Sequence, residues 1–254
     1  MIKVAVTGAL GRMGRLVIEE IKKSGDMELV AGFDIQGEGL PLLGDAHVSL
    51  AADLEKVLTL KRPDVLIDFT SPSAAVGTVC GAADMGINLV VGTTGFSEGQ
   101  LDQMKKAIDG HVAAVISPNF SIGVNVFWKL LALAAETLKD YDIEVIEAHH
   151  NQKKDAPSGT ALAAVDVLKN ATGVTQVVHG RKGMALRGKE IGVHAVRGGD
   201  IVGDHTVLFA GPGERLEIKH QAHSRSAFAS GAVRAARWVV KANPGVYSMS
   251  DVLE

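Results

Sequence analysis

The densest run of reactive side chains in this sequence is Glu147-Ala148-His149-His150-Asn151-Gln152-Lys153-Lys154-Asp155-Ala156-Pro157-Ser158-Gly159-Thr160. Imidazole titrates near neutrality, and lysine supplies both a positive field and a proton, so the run suits acid–base work beside an anion. Ser158, Gly159 and Thr160 read as the start of a helix, whose free N–H groups and hydroxyls form a natural carboxylate cradle. On a strand His149 and His150 point to opposite faces, which is poor for chelating one metal. No acid or thiol stands at metal-ligand spacing, so no metal is expected. A solvated basic loop is the alternative reading.

A second candidate is Gly8-Ala9-Leu10-Gly11-Arg12-Met13-Gly14, between the first strand pattern and the first helix pattern. Glycines there allow a tight turn and a close approach of backbone N–H groups to a pyrophosphate, and the helix start adds a positive charge of roughly half a unit. The spacing G-x-x-G-x-x-G departs from the usual dinucleotide fingerprint, so position carries the argument. No Gly-Lys-Ser/Thr follows, which leaves a triphosphate loop unsupported. Asp34 ends the second strand pattern, where an acid accepts hydrogen bonds from an adenosine ribose. Ile35 follows it, with no adjacent arginine for a 2′-phosphate. NADH is therefore expected to bind; NADPH stays open, since Arg12 or a more distant cation could reach the phosphate.

Small polar residues also end later strands: Phe69-Thr70-Ser71, then Gly92, Thr93, Thr94, Gly95 and Phe96, then Ser117, Pro118, Asn119 and Phe120. Ligands of open α/β sheets bind at the carboxyl ends of strands, so these line the expected cofactor crevice. His220, His223 and His205 read as scattered by strand alternation, Arg197-Gly198-Gly199-Asp200 as a turn that could bring an arginine to an anionic substrate, and Cys80 as helix packing.

The elements that must position these groups change character midway. Apolar runs at Ile2–Thr7, Glu28–Asp34, Asp64–Thr70, Asn88–Gly92 and His111–Ser117 alternate with helical stretches near Met13–Ser24, Ala52–Leu60, Ser73–Met85 and Ser97–Ile108. That alternation predicts a doubly wound, Rossmann-type parallel α/β sheet. Beyond it come a helix over Ser121–Leu138, a strand over Asp142–His149 and a helix over Ser158–Asn170. Strands over Glu190–Arg197, Asp204–Ala210 and Arg215–Ala222 then imply a mixed or antiparallel sheet in a second, α+β domain. The division is expected as a dinucleotide-binding domain of residues 1–120, completed by the C-terminal helix and tail (226–254), and a substrate-binding and oligomerisation domain of 121–225.

The 254 residues carry a net charge of −3 and a single cysteine. The balance argues against a protein built to coat nucleic acid or a membrane, and one cysteine excludes an internal disulfide. No signal peptide or long apolar run is evident, so a cytoplasmic setting is expected.

The run Glu147–Leu162, with His-His-x-x-Lys-x-Asp-Ala-Pro-Ser-Gly-Thr-Ala, resembles the signature of the dihydrodipicolinate (4-hydroxy-tetrahydrodipicolinate) reductase family. The resemblance spans the whole chain and includes Val6–Gly14, Gly92–Phe96, Asn119–Asn125 and Arg197–Thr206. It implies hydride transfer from NADH or NADPH to a cyclic, unsaturated dicarboxylate, giving tetrahydrodipicolinate in lysine and diaminopimelate biosynthesis. His149 resembles the family's proton donor and acceptor, Lys153 its proton donor, and His150, Gly159 and Thr160 its substrate-binding residues. Cofactor contacts map onto Gly8, Ala9, Leu10, Gly11, Arg12, Met13, Asp34, Gly92, Thr93, Thr94, Ser117, Pro118, Asn119 and Phe120. A homotetramer built through the second domain is also implied. Two rivals are weighed. An aspartate-semialdehyde dehydrogenase wants a thiol nucleophile, but Cys80 lies mid-helix, away from the strand-end loops. A non-enzymatic NAD(H) sensor has no need of His149 and Lys153 beside a carboxylate cradle.

Overall fold

In the computed structural model, which describes residues 1–42 and 45–254, the chain begins β1 (Ile2–Thr7), α1 (Arg12–Lys23), β2 (Met27–Phe33), β3 (Pro41–Leu42), β4 (Asp45–Ala51), α2 (Leu54–Lys61) and β5 (Val65–Asp68). It continues α3 (Pro72–Asp84), β6 (Asn88–Val91), α4 (Glu98–Ile108), β7 (Ala113–Ile116), α5 (Ile122–Thr137), β8 (Asp142–His149) and α6 (Gly159–Thr172). The remainder is β9 (Val177–His179), β10 (Ile191–Arg197), β11 (Gly203–Gly211), β12 (Glu214–Ala222), α7 (Ser226–Val239), β13 (Gly245–Tyr247) and α8 (Met249–Val252).

Two compact units divide the chain: Met1–Ile122 with Ser226–Glu254, and Gly123–Arg225. In the first, the strand order is β13-β7-β6-β5-β1-β2-β4-β3, parallel throughout except for β3 against β4. The order reverses direction between β1 and β5, and that switch point opens a crevice at the strands' carboxyl ends. β5 is buried along its whole length because helices cover both faces of the sheet, which is why its sequence is continuously apolar up to Asp68. Apolar clusters form on both sides; one joins Val4, Val6 and Ile18 to Ala232, Ala236 and Met249, which binds the C-terminal segment into this unit. Gly231 permits the close packing of α7, since a Cβ there would collide with the carbonyl oxygen of Phe120.

β5 ends earlier than the apolar run predicts, at Asp68, because the next residues leave the sheet: the Thr70 N–H donates to the Thr93 hydroxyl at 2.8 Å. The sequence reading also misses β4, seven residues long, and it misses β3, β9 and β13, which have two or three residues each and are too short to show a period.

The second unit has the strand order β12-β11-β8-β10-β9, with β8, β10 and β9 parallel and β11 and β12 antiparallel. β8 alternates strictly: Ile143, Val145, Glu147 and His149 are buried on one face. The apolar members pack with Phe127 and Leu131 of α5 and Ala161, Val165 and Leu168 of α6. Two polar residues therefore sit where a strand of this pattern places core residues, and their partners decide whether that is tolerable.

Candidate active site

In the first unit, β1 delivers Gly8 at φ +71°, a left-handed conformation that glycine adopts without strain. A side chain on it would run into the carbonyl of Phe69, and one on Gly14 would strike the carbonyl of Gly8. Gly11 caps α1 with no side-chain hydrogen bond, and the first turn carries no acid. The first amides of α1 are thus left uncapped by side chains at a positive helix end, which fits the pyrophosphate of a dinucleotide. Ala9 is buried and acts through its backbone, donating its N–H to the Phe33 carbonyl at 3.0 Å.

Asp34 accepts the Leu10 N–H at 2.9 Å, so the acid at the end of β2 is braced by the glycine loop itself. With Gly8, Ile35, Thr70 and Ser71 it lines a pocket of about 370 Å³. That is enough room for part of a nucleotide. Ile35 is 94% exposed at this rim.

At the switch point a carboxylate that sequence reading passed over proves central. Asp68 is 0% exposed. It accepts from the hydroxyls of Thr7 at 2.6 Å, Thr93 at 2.6 Å and Thr70 at 3.0 Å, tying the ends of β1 and β6 to its own. Thr93 is thereby fixed, whereas Thr94 next to it is exposed. Gly92 is required by the Phe69 ring, which would overlap any Cβ there. Beyond β7, the Ser117 hydroxyl donates to the Asn119 carbonyl at 3.0 Å, and the Ser121 N–H donates to Asn119 Oδ1 at 2.9 Å, forming a local turn around exposed Pro118. Phe120 is a core residue, packed edge-on against Phe69.

In the second unit, register assembles the chemistry. Arg197 of β10 pairs with His149, and His205 of β11 pairs with Glu147, so all four side chains share the inward face. Glu147 is 0% exposed and is met by donors on every side. Arg197 donates Nη1 to Oε2 and Nη2 to Oε1, each at 2.8 Å; His149 Nδ1 lies 2.6 Å from Oε2, and the Ser158 N–H donates to Oε1 at 3.0 Å. Burial opposes the charge on Glu147, but the hydrogen bonds from Arg197, His149 and Ser158 outweigh it and hold the carboxyl below its usual range. Arg197 is raised, chiefly by its hydrogen bonds to Glu147. Its guanidinium, open to an anionic substrate on sequence grounds, is instead committed to this internal ion pair.

His149 is pushed down from the ordinary histidine value, first by burial and then by the charges of Lys153 and Arg197, against the opposite pull of Glu147. His205, read from sequence as one of several scattered histidines, lies beside it with ring centroids 5.2 Å apart. Its Nε2 is 3.1 Å from the Ser158 hydroxyl, and burial lowers its pKa to about 4. Alternation does not scatter His205 and His220: they are cross-strand partners on one face, and His223 falls past the strand end.

Ser158 caps α6 by accepting the Ala161 N–H at 3.2 Å, as its position before the helical pattern predicts. Nothing lies within 4 Å of where a Cβ on Gly159 would stand. The Thr160 carbonyl accepts the Trp128 indole N–H at 3.3 Å, anchoring this turn to α5. His150 leaves β8 with its N–H donated to the Ile201 carbonyl at 2.8 Å. Lys153 is bound by both Asp155 carboxylate oxygens at 2.9 Å. Among the described residues, no group of three or more histidine, cysteine or acidic side chains is arranged to hold a metal, and no helix is long and apolar enough to cross a membrane.

Comparison with known proteins places this geometry in context. Family models described as dihydrodipicolinate reductase, N-terminus, and dihydrodipicolinate reductase, C-terminus, match residues 2–120 and 123–253. A 4-hydroxy-tetrahydrodipicolinate reductase of Methanosarcina acetivorans is 58% identical over 261 residues, covering 100% of this chain and 99% of the relative. One from Methanocaldococcus jannaschii is 52% identical, with coverage of 100% and 97%. Among solved structures, a dipicolinate-bound dihydrodipicolinate reductase from Paenisporosarcina sp. TG-14 superposes with a TM-score of 0.82 at 29% identity, covering 98% of this chain and 97% of that one.

Proposed function

The chain belongs to the dihydrodipicolinate reductase family, and from that premise we propose that it reduces 4-hydroxy-tetrahydrodipicolinate, or dihydrodipicolinate, to tetrahydrodipicolinate in lysine and diaminopimelate biosynthesis. The nicotinamide cofactor, when bound, supplies the hydride. Gly8, Gly11, Arg12 and Met13 are assigned to its pyrophosphate, and Asp34 to its ribose. The backbone of Ala9 and Leu10 shapes that loop, and Gly92, Thr93, Thr94 and the Ser117–Phe120 turn complete the strand-end crevice. Both NADH and NADPH serve in this reading, with NADH favoured by Asp34 and by the lack of a cation at Ile35.

The observation that carries the reading is a single shared anchor: Glu147 holds both His149 and the Ser158 amide. An acid–base group and an anion cradle are thereby kept in one frame. In our assignment the N-terminal turn of α6 takes a substrate carboxylate through Gly159 and Thr160, with His150 as a further contact. His149 and Lys153 exchange the proton that neutralises charge on the ring after reduction. Positioned acids of this kind contribute roughly 10²–10⁴ in rate. A homotetramer formed through the second unit belongs to the same proposal, supported by Ile146 and Val196, exposed on the outer face of its sheet. So does a cytoplasmic setting.

The deciding experiment follows absorbance at the nicotinamide band, with substrate made in situ from pyruvate and aspartate semialdehyde by the preceding synthase. Substrate-dependent oxidation of the reduced cofactor is expected. Its absence with both NADH and NADPH overturns the reading.

A further inference from the structure

The carboxylate of Glu147 has a consequence for its neighbour. An ionised carboxylate can only accept hydrogen bonds, and a guanidinium and a backbone N–H can only donate. Arg197 Nη1 and Nη2 grip one oxygen each at 2.8 Å, and the Ser158 N–H takes a second position on Oε1 at 3.0 Å. The carboxylate plane is locked from the neighbouring strand β10 and from the start of α6. His149 Nδ1, 2.6 Å from Oε2, is therefore the nitrogen that carries hydrogen. A neutral imidazole has one N–H, so Nε2 holds the lone pair. The far edge of the ring meets β11, where a side chain on Gly203 would stand 3.0 Å from Nε2 and 3.5 Å from Cδ2. Only glycine at that position leaves Nε2 uncrowded.

We propose that Glu147 is the positioning residue of this site: it fixes His149 as the Nδ1–H imidazole and leaves Nε2, beside Gly203, as the nitrogen that takes up and returns the proton. The inference rests on the acid–base reading of His149. When Nε2 gains a proton the ring becomes an imidazolium that keeps its Nδ1–H on Glu147; release of the Nε2 proton restores the neutral ring. The charged and titratable groups facing this ring are Glu147 from its own strand, Arg197 from β10, His205 from β11, and Lys153 with Asp155 from the loop after β8. Of these, Glu147 is the acid in direct contact.

Nitrogen-15 NMR of the histidine side chains in the full chain tests this, with His149→Gln used to assign the signals. The wild-type protein is expected to show His149 protonated on Nδ1 at neutral pH; an Nε2–H ring overturns the proposal by itself, whatever the variants do. Glu147→Gln removes the facing charge and puts an amide N–H₂ against a donor whichever way it turns. His149 should then lose its single tautomer, and its titration midpoint should fall by about one pH unit or more, as loss of a contacting opposite charge predicts. Glu147→Asp, which keeps the charge, should recover part of that shift. The pH profile of turnover should follow the same midpoints, while cofactor affinity, carried by the other unit, stays at the wild-type value and reports folding. A folded Glu147→Gln protein with an unchanged tautomer and midpoint sinks the idea. Full turnover in His149→Gln instead sinks the acid–base reading, and the NMR result stands apart from it because it needs no turnover.

Discussion

Lys153 donates through Nζ to both carboxylate oxygens of Asp155, at 2.9 Å each, with the lysine side chain 21% exposed and the aspartate 60%. The cation assigned to proton delivery thus rests on an acid that is itself largely in water. An exposed pair of this kind contributes about 0–1 kcal/mol to stability, so its value lies in where it holds the ammonium. Lys153→Met should lower turnover roughly 10²-fold or more. Lys153→Arg keeps the charge but is a poor proton source, because a guanidinium holds its proton far above neutral pH, and should be nearly as slow while retaining part of the substrate affinity. Single-turnover rates are the measurement, since slow product release can mask a chemical defect. An arginine variant within about threefold of wild type, a loss of under ~1 kcal/mol in barrier, would reassign Lys153 to substrate electrostatics.

Asp34 has two duties, one to the glycine loop through the Leu10 N–H and one proposed to the cofactor ribose. Asp34→Ala should remove a charged hydrogen bond worth ~1.5–3 kcal/mol and raise the NADH dissociation constant about ten- to hundredfold. The bracing of Leu10 is lost for either cofactor, so NADPH should also weaken, but less, because its 2′-phosphate is freed from a repelling carboxylate. Calorimetric titration with both nucleotides separates these effects. Equal losses would leave Asp34 with only the loop duty.

The crevice proposed for the cofactor is legible in the sequence as a set of strand ends, because a continuous apolar run followed by glycine or threonine marks the end of a buried parallel strand. Asp68 escaped notice because nothing in Val-Leu-Ile-Asp shows that Thr7 and Thr93 will flank it; that follows from β1 and β6 lying on either side of β5. In the second unit, His149, Lys153 and Ser158 stand close together in sequence and were found together. The commitment of Arg197 to Glu147 was not visible, since it depends on the register of β8 with β10 across fifty residues. His205 was hidden for the same reason. Alternation tells which face a side chain takes within its own strand, and register alone tells which neighbours it meets there.

Asp68 gives a test of the crevice independent of catalysis. Asp68→Asn replaces an acceptor-only group by one that must turn N–H₂ toward a threonine hydroxyl, in a site closed to water. The expected destabilisation is about 1–3 kcal/mol, read by denaturant unfolding. The Thr93 hydroxyl and the Thr70 amide lose their common anchor, so the NADH dissociation constant should rise while binding of pyridine-2,6-dicarboxylate holds. Weakening of the dicarboxylate alone would contradict the placement of the cofactor in the first unit.

His205 predicts how stability responds to acid. Burial lowers its folded pKa from 6.5 to about 4, so the folded protein resists a proton that the unfolded chain accepts. Above pH 6.5 both states are neutral at this site and the histidine contributes no pH dependence. As pH falls from there toward 4, the unfolded state gains the proton first and stability declines. The decline totals up to about 3 kcal/mol from this residue, and His149, also lowered by burial, adds in the same direction. Below the folded pKa both states are protonated and the slope vanishes. His205→Gln removes the titration and keeps a polar partner for the Ser158 hydroxyl. Urea unfolding of wild type and variant across this range should show a shallower acid slope in the variant, with its relative stability improving as pH falls. Parallel curves would mean that His205 charges as readily in the folded protein as in the unfolded chain.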